Sequence, residues 1–448
     1  MAIPASSTVE QDARRLHSDN HGGHEADPGE MSIGVIIGRT SEFFDFFVFS
    51  IACVLVFPAR LFPFADPLTG TFYSFGIFAL AFLARPFGSL FFIWVDKNYG
   101  RSAKLTLALL ILGTSTVAMG LVPTYDVAGA WAIGIIMLFR IGQGFALGGA
   151  WDGLASLLAL SAPSEKRGWY AMIPQLGAAI ALAVVTGLFI YLIAGMSAGD
   201  FLDWGWRYPF FVAFSINVVA LFARLRIVAT PEYEQMFESN ELVATGVAET
   251  WKAEGRQICL GALTPLASFA LLQMMTIFPL GYVFLFVQDE GQAVPITPFL
   301  TSMLIGSFVY FFATAASGIL SDKIGRRKLL TMGVTGIAIF AILAPVLLNL
   351  GTAGQTVYIL VGFALLGLTF GQSSGAVAAS FAPGYRYTAS ACTSDLAWVL
   401  GAGFAPFIAL FAAATFGLWA AGVYLLSGAV VTLLVLRANR LTSAMGRN

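Results

Sequence analysis

Charge is scarce in this chain. Aspartate, glutamate, lysine and arginine supply 11% of its 448 residues, roughly half the share found in a soluble domain. Histidine stops at His24, after His17 and His21, so no later segment offers an imidazole for proton transfer or metal binding. The cysteines are Cys53, Cys259 and Cys392; they lack metal or redox spacing and sit in or beside apolar runs, as small core residues do. A net charge of −1 leaves no electrostatic footprint for nucleic acid. No catalytic constellation or attached soluble domain is visible, so neither enzyme activity nor a cofactor or metal is expected. Residues 1–30 are polar and lack the apolar core of a signal peptide, which reads as a cytoplasmic tail. A weak metal site on its histidines is the lesser reading.

Apolar sequence fills the rest. The composition is 58% hydrophobic with forty Phe and nine Trp, and the mean hydropathy is +0.81. About twenty apolar residues are needed to cross a bilayer as a helix. Twelve such spans are predicted, at 33–57, 69–94, 104–122, 130–160, 169–194, 207–229, 258–287, 297–320, 329–349, 355–381, 388–411 and 415–436. Basic residues crowd one set of loops: Lys97, Arg101 and Lys104, then Lys166 and Arg167, then Lys323, Arg326, Arg327 and Lys328, and Arg386. The other loops have Arg60 as their clear cation but carry Asp66, Asp126, Asp200, Asp203, Asp289 and Glu290. Lysine and arginine mark the cytoplasmic side, so both termini are expected there.

The polar stretch 230–257, with Pro231, six glutamates and Trp251, reads as a cytoplasmic linker. A surface-lying amphipathic segment within it is a further option. It divides residues 31–229 from 258–437, two sets of six spans, and 438–448 form a second tail. The halves echo one another. An acid-lysine pair, a Gly-Arg pair and a further lysine follow the second span of each, at Asp96–Lys104 and Asp322–Lys328. Such a repeat is the signature of duplicated carrier halves. The loop acids can pair with the basic residues and with helix ends, a latch that must break for that side to open. Asp96, Arg101, Asp322, Arg326 and Arg327 are the gating candidates.

Gly318, Asp322, Gly325, Arg326 and Arg327, in GILSDKIGRR, resemble the signature loop of the major facilitator superfamily. More narrowly, the chain is similar to its metabolite:proton symporter branch. The matching segments are GRTSEFFDFF with Glu42 and Asp45, RPFG from Arg85, FRIGQGFALGG around Arg140 and Gln143, and WRYPF from Trp206. The resemblance implies an all-α membrane protein, twelve transmembrane helices in two six-helix bundles, working as a monomer in a bacterial inner membrane by alternating access. The sequence departs from the branch at Ala150, where an acid is usual and Asp152 follows, and at Phe92, where glycine is usual. Three residues, not two, separate Asp96 from Gly100.

Charges inside spans are costly and normally line a bundle interior or an aqueous path. Glu42, Asp45, Arg85, Arg140, Asp152 and Asp395 are such charges. The bland readings are snorkelling for the arginines and paired anchors for the acids. Glu42 and Asp45, three apart, share a helix face, and two close carboxylates disfavour joint ionisation. One of them is then a proton site, with Asp45 preferred and Asp395 a second candidate. Arg140 suits a substrate carboxylate through its forked donors, helped by Gln143, with Arg85 the next choice. Tyr73, Trp151, Asp152, Tyr170, Gln175, Gln273 and Tyr282 are candidate liners, each also explicable as packing. The expected activity is proton-coupled import of a small mono- or dicarboxylate. The alternative is a zwitterionic solute such as betaine or proline, although carriers of that kind often append a charged coiled coil and this sequence stops soon after its last span.

Orientation is directly testable. A cysteine introduced beside Arg327 is expected to label only from the cytoplasm, and one beside Asp126 only from outside; the reverse pattern overturns the orientation.

Overall fold

The computed structural model describes residues 28–150, 164–228, 244–289, 292–293, 296–373, 381–382 and 384–438. Helices α1 to α6 are Pro28–Leu55, Pro67–Tyr99, Arg101–Leu121, Ala130–Ala150, Arg167–Gly195 and Tyr208–Val228. Helix α7 comes in three pieces, Val247–Leu263, Leu266–Met275 and Ile277–Phe286. Helices α8 to α10 are Ile296–Ile324, Arg326–Asn349 and Gly351–Phe370. Helix α11 joins Arg386–Trp398 to Ala405–Phe416 through a widened π turn at Val399–Gly403, and α12 is Leu418–Ala438. A small hairpin, β1 Gln288–Asp289 and β2 Gln292–Ala293, adds antiparallel pairing that the sequence reading did not foresee.

Every expected span falls on one of these helices. Eleven of them, α2 to α12, are long and apolar enough to cross a membrane, so the protein is an all-α multi-pass membrane protein. The 28-residue α1 differs because Arg39, Glu42 and Asp45 interrupt its apolar run. Helix α7 starts at Val247, so residues 247–257, expected in the linker, are its first turns. Expected residues 151–160 of span four, residues 374–380 of span ten and residues 230–243 of the linker lie outside the described residues.

Proline places the breaks. It lacks an N–H and its ring crowds the carbonyl four residues earlier. Pro265 and Pro279 divide α7 after Leu263 and Met275. Pro406 likewise deprives Ala402 of its regular partner, and the side chain of Gln273 donates to that carbonyl instead, at 2.9 Å. A polar residue in an apolar run thus repairs a broken backbone ladder.

Glycine sets the closest crossing. A Cβ at Gly144 would strike the backbone of Ala81, one at Gly148 the backbone of Arg85 and Ser89, and one at Gly88 the backbone of Phe145. Helices α2 and α4 meet there backbone to backbone, as small residues permit in lipid. Helix α4 also packs on α3, while α1 packs on α5 and α6. Among the later helices α8 packs on α10, α9 on α10 and α12, and α7 on α11 and α12. The long α5·α8 seam and a second one at α2·α11 join the first six helices to the last six.

The two ends of the helix array are chemically distinct. At one end Arg60 pairs with Asp203 and donates to the Leu202 carbonyl, at 3.0 Å for the latter. Arg207 caps the carbonyls of Gly120 and Val122 at the end of α3, both at 2.7 Å. Asp66 caps α2 by accepting from the Thr69 N–H at 3.1 Å, which holds its carboxyl below the usual range. The other end carries the basic loops.

The α2–α4 crossing supplies a controlled comparison. Gly144→Leu should lower stability by roughly 1–3 kcal/mol or more through overpacking, read as a lower unfolding temperature in detergent. Gly134→Leu, also on α4 but facing open space, should leave it nearly unchanged.

Candidate functional site

Helix α6 aims two polar side chains at α1. Asn217 and Arg224, two turns apart, share one face. Asn217 donates to both oxygens of Asp45, at 2.9 and 3.2 Å, and accepts from Ser41. Arg224 fills the space left by the missing side chain of Gly38, bonds Glu42 and donates to the Ala150 carbonyl at 2.6 Å, capping α4. Arg39, one turn before Glu42, closes on it from the other side at 2.5 Å. The two acids of α1 therefore have different company. Glu42 lies between two guanidiniums, whereas Asp45 accepts only from neutral donors, with no direct cation among the described residues.

Asp45 connects to Arg140 indirectly. The Thr116 hydroxyl has one proton and two acceptors in reach, Asp45 at 3.1 Å and the Leu112 carbonyl at 2.9 Å. Thr116 in turn accepts from Gln143 at 2.9 Å, and the amide oxygen of Gln143 accepts from Arg140. Arg140 also donates to the Phe78 carbonyl at 3.2 and 3.3 Å and lies over the rings of Phe49 and Phe78, 4.0 and 5.0 Å from their centroids. This guanidinium is buried inside the first six helices with its fork already engaged. Gln143 links it to Thr116 and through Thr116 to Asp45.

Arg85 and Asp395 meet across the α2·α11 seam. Their ion pair measures 2.8 Å, and Arg85 also donates to Ser394 at 3.3 Å. Its guanidinium lies 5.8 Å from the Trp398 ring. Trp398 stacks on Phe82 at 5.9 Å and touches Phe43, Phe46 and Phe269, so rings from α1, α2, α7 and α11 form one aromatic floor. Arg39 stands over the same floor, 5.2 Å from Phe43. The arrangement can hold an anion between Arg39 and Arg85 and an apolar or aromatic body on the rings.

The other candidates scatter. Tyr73 is exposed near the start of α2, against Phe62. Tyr282 donates to Asn349 at 3.3 Å, far along α7. Gln175 is buried on α5, and Gln273 serves the α11 backbone. Trp151 and Asp152 lie outside the described residues. The residues missed in the sequence reading are Arg39, Asn217, Arg224, Thr116 and Trp398. Asn217, a lone asparagine in the sixth span, and Arg224, two residues before Arg226, were the available signal; Thr116 and Trp398 gave none above ordinary packing.

At the basic end the two echoed loops behave differently. Both turn on a glycine with positive φ, Gly100 at 83° and Gly325 at 87°. The extra residue before Gly100 rotates Asp96 by about 100° relative to Asp322. Asp96 accordingly bonds within its own loop, to Arg101 at 2.9 Å and Lys104 at 3.7 Å. Lys104 donates to the Tyr387 hydroxyl of α11, and Arg101 stacks over that ring at 4.2 Å. Asp322 instead accepts from the N–H groups of Gly168 and Trp169, at 2.6 and 3.0 Å, capping α5. Gln372 accepts from Arg326 at 3.1 Å and donates to the Gly168 carbonyl, also at 3.1 Å. Arg327 is half-buried at the start of α9. Both loops tie the early helices to the late ones on this side.

Comparison with known proteins identifies the family. The inner membrane metabolite transport protein YhjE of Escherichia coli is 34% identical, over 91% of this chain and 93% of that one. The proline/betaine transporter of the same organism is 29% identical, over 83% and 75%. Among solved structures, a D-xylose-proton symporter superposes with a TM-score of 0.70 at 16% identity, over 90% of this chain and 96% of that one. The family model of the Major Facilitator Superfamily matches residues 35–406. The chain belongs to that superfamily, in its metabolite:proton symporter branch, and is a transporter rather than an enzyme.

Proposed function

We propose that the protein imports a small organic anion together with protons. One observation carries the reading. Among the described residues the buried cluster sets four arginines, Arg39, Arg85, Arg140 and Arg224, against three carboxylates, Glu42, Asp45 and Asp395. One positive charge is in excess when all are ionised, and an anionic solute neutralises it. The carboxylate docks on Arg85 and Arg39 above the aromatic floor, with Asp395 giving up its place on Arg85. Arg140, with its donors engaged, supports Asp45 instead of binding substrate.

Asp45 is the proton carrier. It is the acid without a direct cation, so protonation breaks no ion pair, and Thr116 can turn its own proton to Leu112. The excess charge then rises, which favours the anion; the bound anion in turn favours the proton. This reciprocity is the coupling. Asp395, displaced from Arg85 by the substrate, is the alternative proton carrier to Asp45. Alternating access follows from two six-helix bundles, residues 31–229 and 258–437, rocking about the α5·α8 and α2·α11 seams, with termini and basic loops in the cytoplasm of a bacterial inner membrane. The contacts of Asp322 with α5 and of Lys104 with Tyr387 form the cytoplasmic gate. One copy of the chain contains the whole route.

A zwitterion such as betaine or proline is the second reading. The aromatic floor suits an ammonium group, and a proline/betaine transporter is among the relatives. The two guanidiniums standing over that floor favour an anion.

Proteoliposomes with an imposed pH gradient test this. Wild type should accumulate a carboxylate from a panel of organic acids, betaine and proline; accumulation of the zwitterions alone overturns the anion reading. Asp45→Asn should abolish pH-driven accumulation while counterflow exchange persists, because exchange needs no net proton release. Normal accumulation in that variant moves the proton site elsewhere. Arg85→Lys keeps the charge but loses the fork, so substrate affinity should fall about tenfold. An unchanged affinity removes Arg85 from the site.

A further inference from the structure

Helix α8 carries two buried hydroxyls that nothing among the described residues engages. Tyr310 and Thr314 are both fully buried, and neither side-chain oxygen has a hydrogen-bond partner among the described residues. They sit one turn apart, on one face of the helix. Buried polar atoms without partners cost stability, so an orphaned pair at the heart of a carrier calls for an explanation. Their surroundings supply one. The Tyr310 ring stacks on Phe363 at 5.9 Å and meets Phe370 edge-on at 6.5 Å. Phe370 in turn contacts Phe43 and Phe269, at 6.0 and 5.5 Å, which joins Tyr310 to the aromatic floor beneath Arg39. Arg39 lies within electrostatic range of the Tyr310 hydroxyl, and its Nε is likewise buried without a partner. Donors and acceptors from α1 and α8 thus converge from the two sets of helices with their capacity unused.

We propose that Tyr310, Thr314 and the Nε of Arg39 form a subsite for hydroxyl groups on the transported anion, making the substrate class a hydroxylated carboxylic acid. The inference rests on the anion reading above and narrows it. Each hydroxyl can donate one hydrogen bond and accept others, which matches an alcohol, whereas a plain hydrocarbon tail leaves both orphaned. A site built to bond hydroxyls rejects the analogue lacking them, because its buried polar groups then stay unpaired. The carboxylate occupies the arginines, the carbon skeleton lies on Phe43 and Phe370, and the hydroxyls reach α8.

Matched acid pairs test this on the purified full-length protein by calorimetric titration: lactate with propionate, gluconate with hexanoate, and quinate with cyclohexanecarboxylate. Wild type should bind the hydroxylated member of at least one pair at least tenfold more tightly. Tyr310→Phe should remove that preference, weakening the hydroxy acid about tenfold while leaving its deoxy partner unchanged. Thr314→Val should act in the same direction. Because both substitutions delete unpartnered groups, the unfolding temperature without ligand should hold or rise; a fall shows that the hydroxyls serve the fold and overturns the proposal. Equal binding of both members in wild type, or an intact preference in Tyr310→Phe, overturns the subsite while the anion reading stands. Binding of none of the six acids, with betaine and proline titrated alongside, removes the anion reading and the subsite together.

Discussion

A guanidinium or carboxylate within an apolar helix array is tolerated only where something nearby compensates it, and the interior of this protein is organised around that requirement. Each charge has a distinct solution. Glu42 has two arginines, and Asp395 has Arg85 across a helix seam. Arg140 has a backbone carbonyl, an amide and two ring faces. Among the described residues Asp45 has only neutral donors. On the reading proposed above, Asp45, held by an amide and a hydroxyl, is the acid that changes protonation state, while Glu42 between its two arginines keeps its charge. Most of these pairings join separate helices, so altering one charge alters what holds the array together.

Backbone geometry puts those charges in place. The glycines of α2 and α4 let two backbones touch, bringing Arg85 and Arg140 to adjoining faces of one crossing. Proline breaks α7 and bends the course of α11 just beyond Trp398 and Asp395. Gln273 shows the cost of such breaks, since a side chain that could have met substrate is committed to an exposed carbonyl. At the basic end a single inserted residue separates the behaviour of two otherwise parallel loops. Asp96 pairs within its own turn and, together with Lys104, meets Tyr387 of α11; Asp322 reaches across to α5.

The helical, multi-pass character of the fold was legible because span length and hydropathy carry a physical signal that needs no tertiary knowledge. The site was legible in part. Charges within apolar runs pointed to Glu42, Asp45, Arg85, Arg140, Asp152 and Asp395; Asp152 lies outside the described residues, and the other five lie buried or nearly so in one region. Their partners were not readable. Arg140 was the natural anchor on chemistry alone, yet the turn of α4 points it at Phe78 and Gln143. Arg39 and Arg224 stood near span ends, where an arginine passes for an interfacial residue. Tyr310 and Thr314 looked like ordinary helix residues, because an unpartnered hydroxyl can be recognised only once its neighbours are known.

The central claim is that an excess of buried positive charge couples anion binding to protonation. The most direct measurement is the proton uptake on substrate binding, obtained by titrating the accumulated acid into the purified protein in buffers of different ionisation enthalpy near neutral pH. The account predicts net uptake of up to one proton per substrate bound, abolished in Asp45→Asn. Substrate binding with no proton uptake across that range, or with proton release, contradicts it.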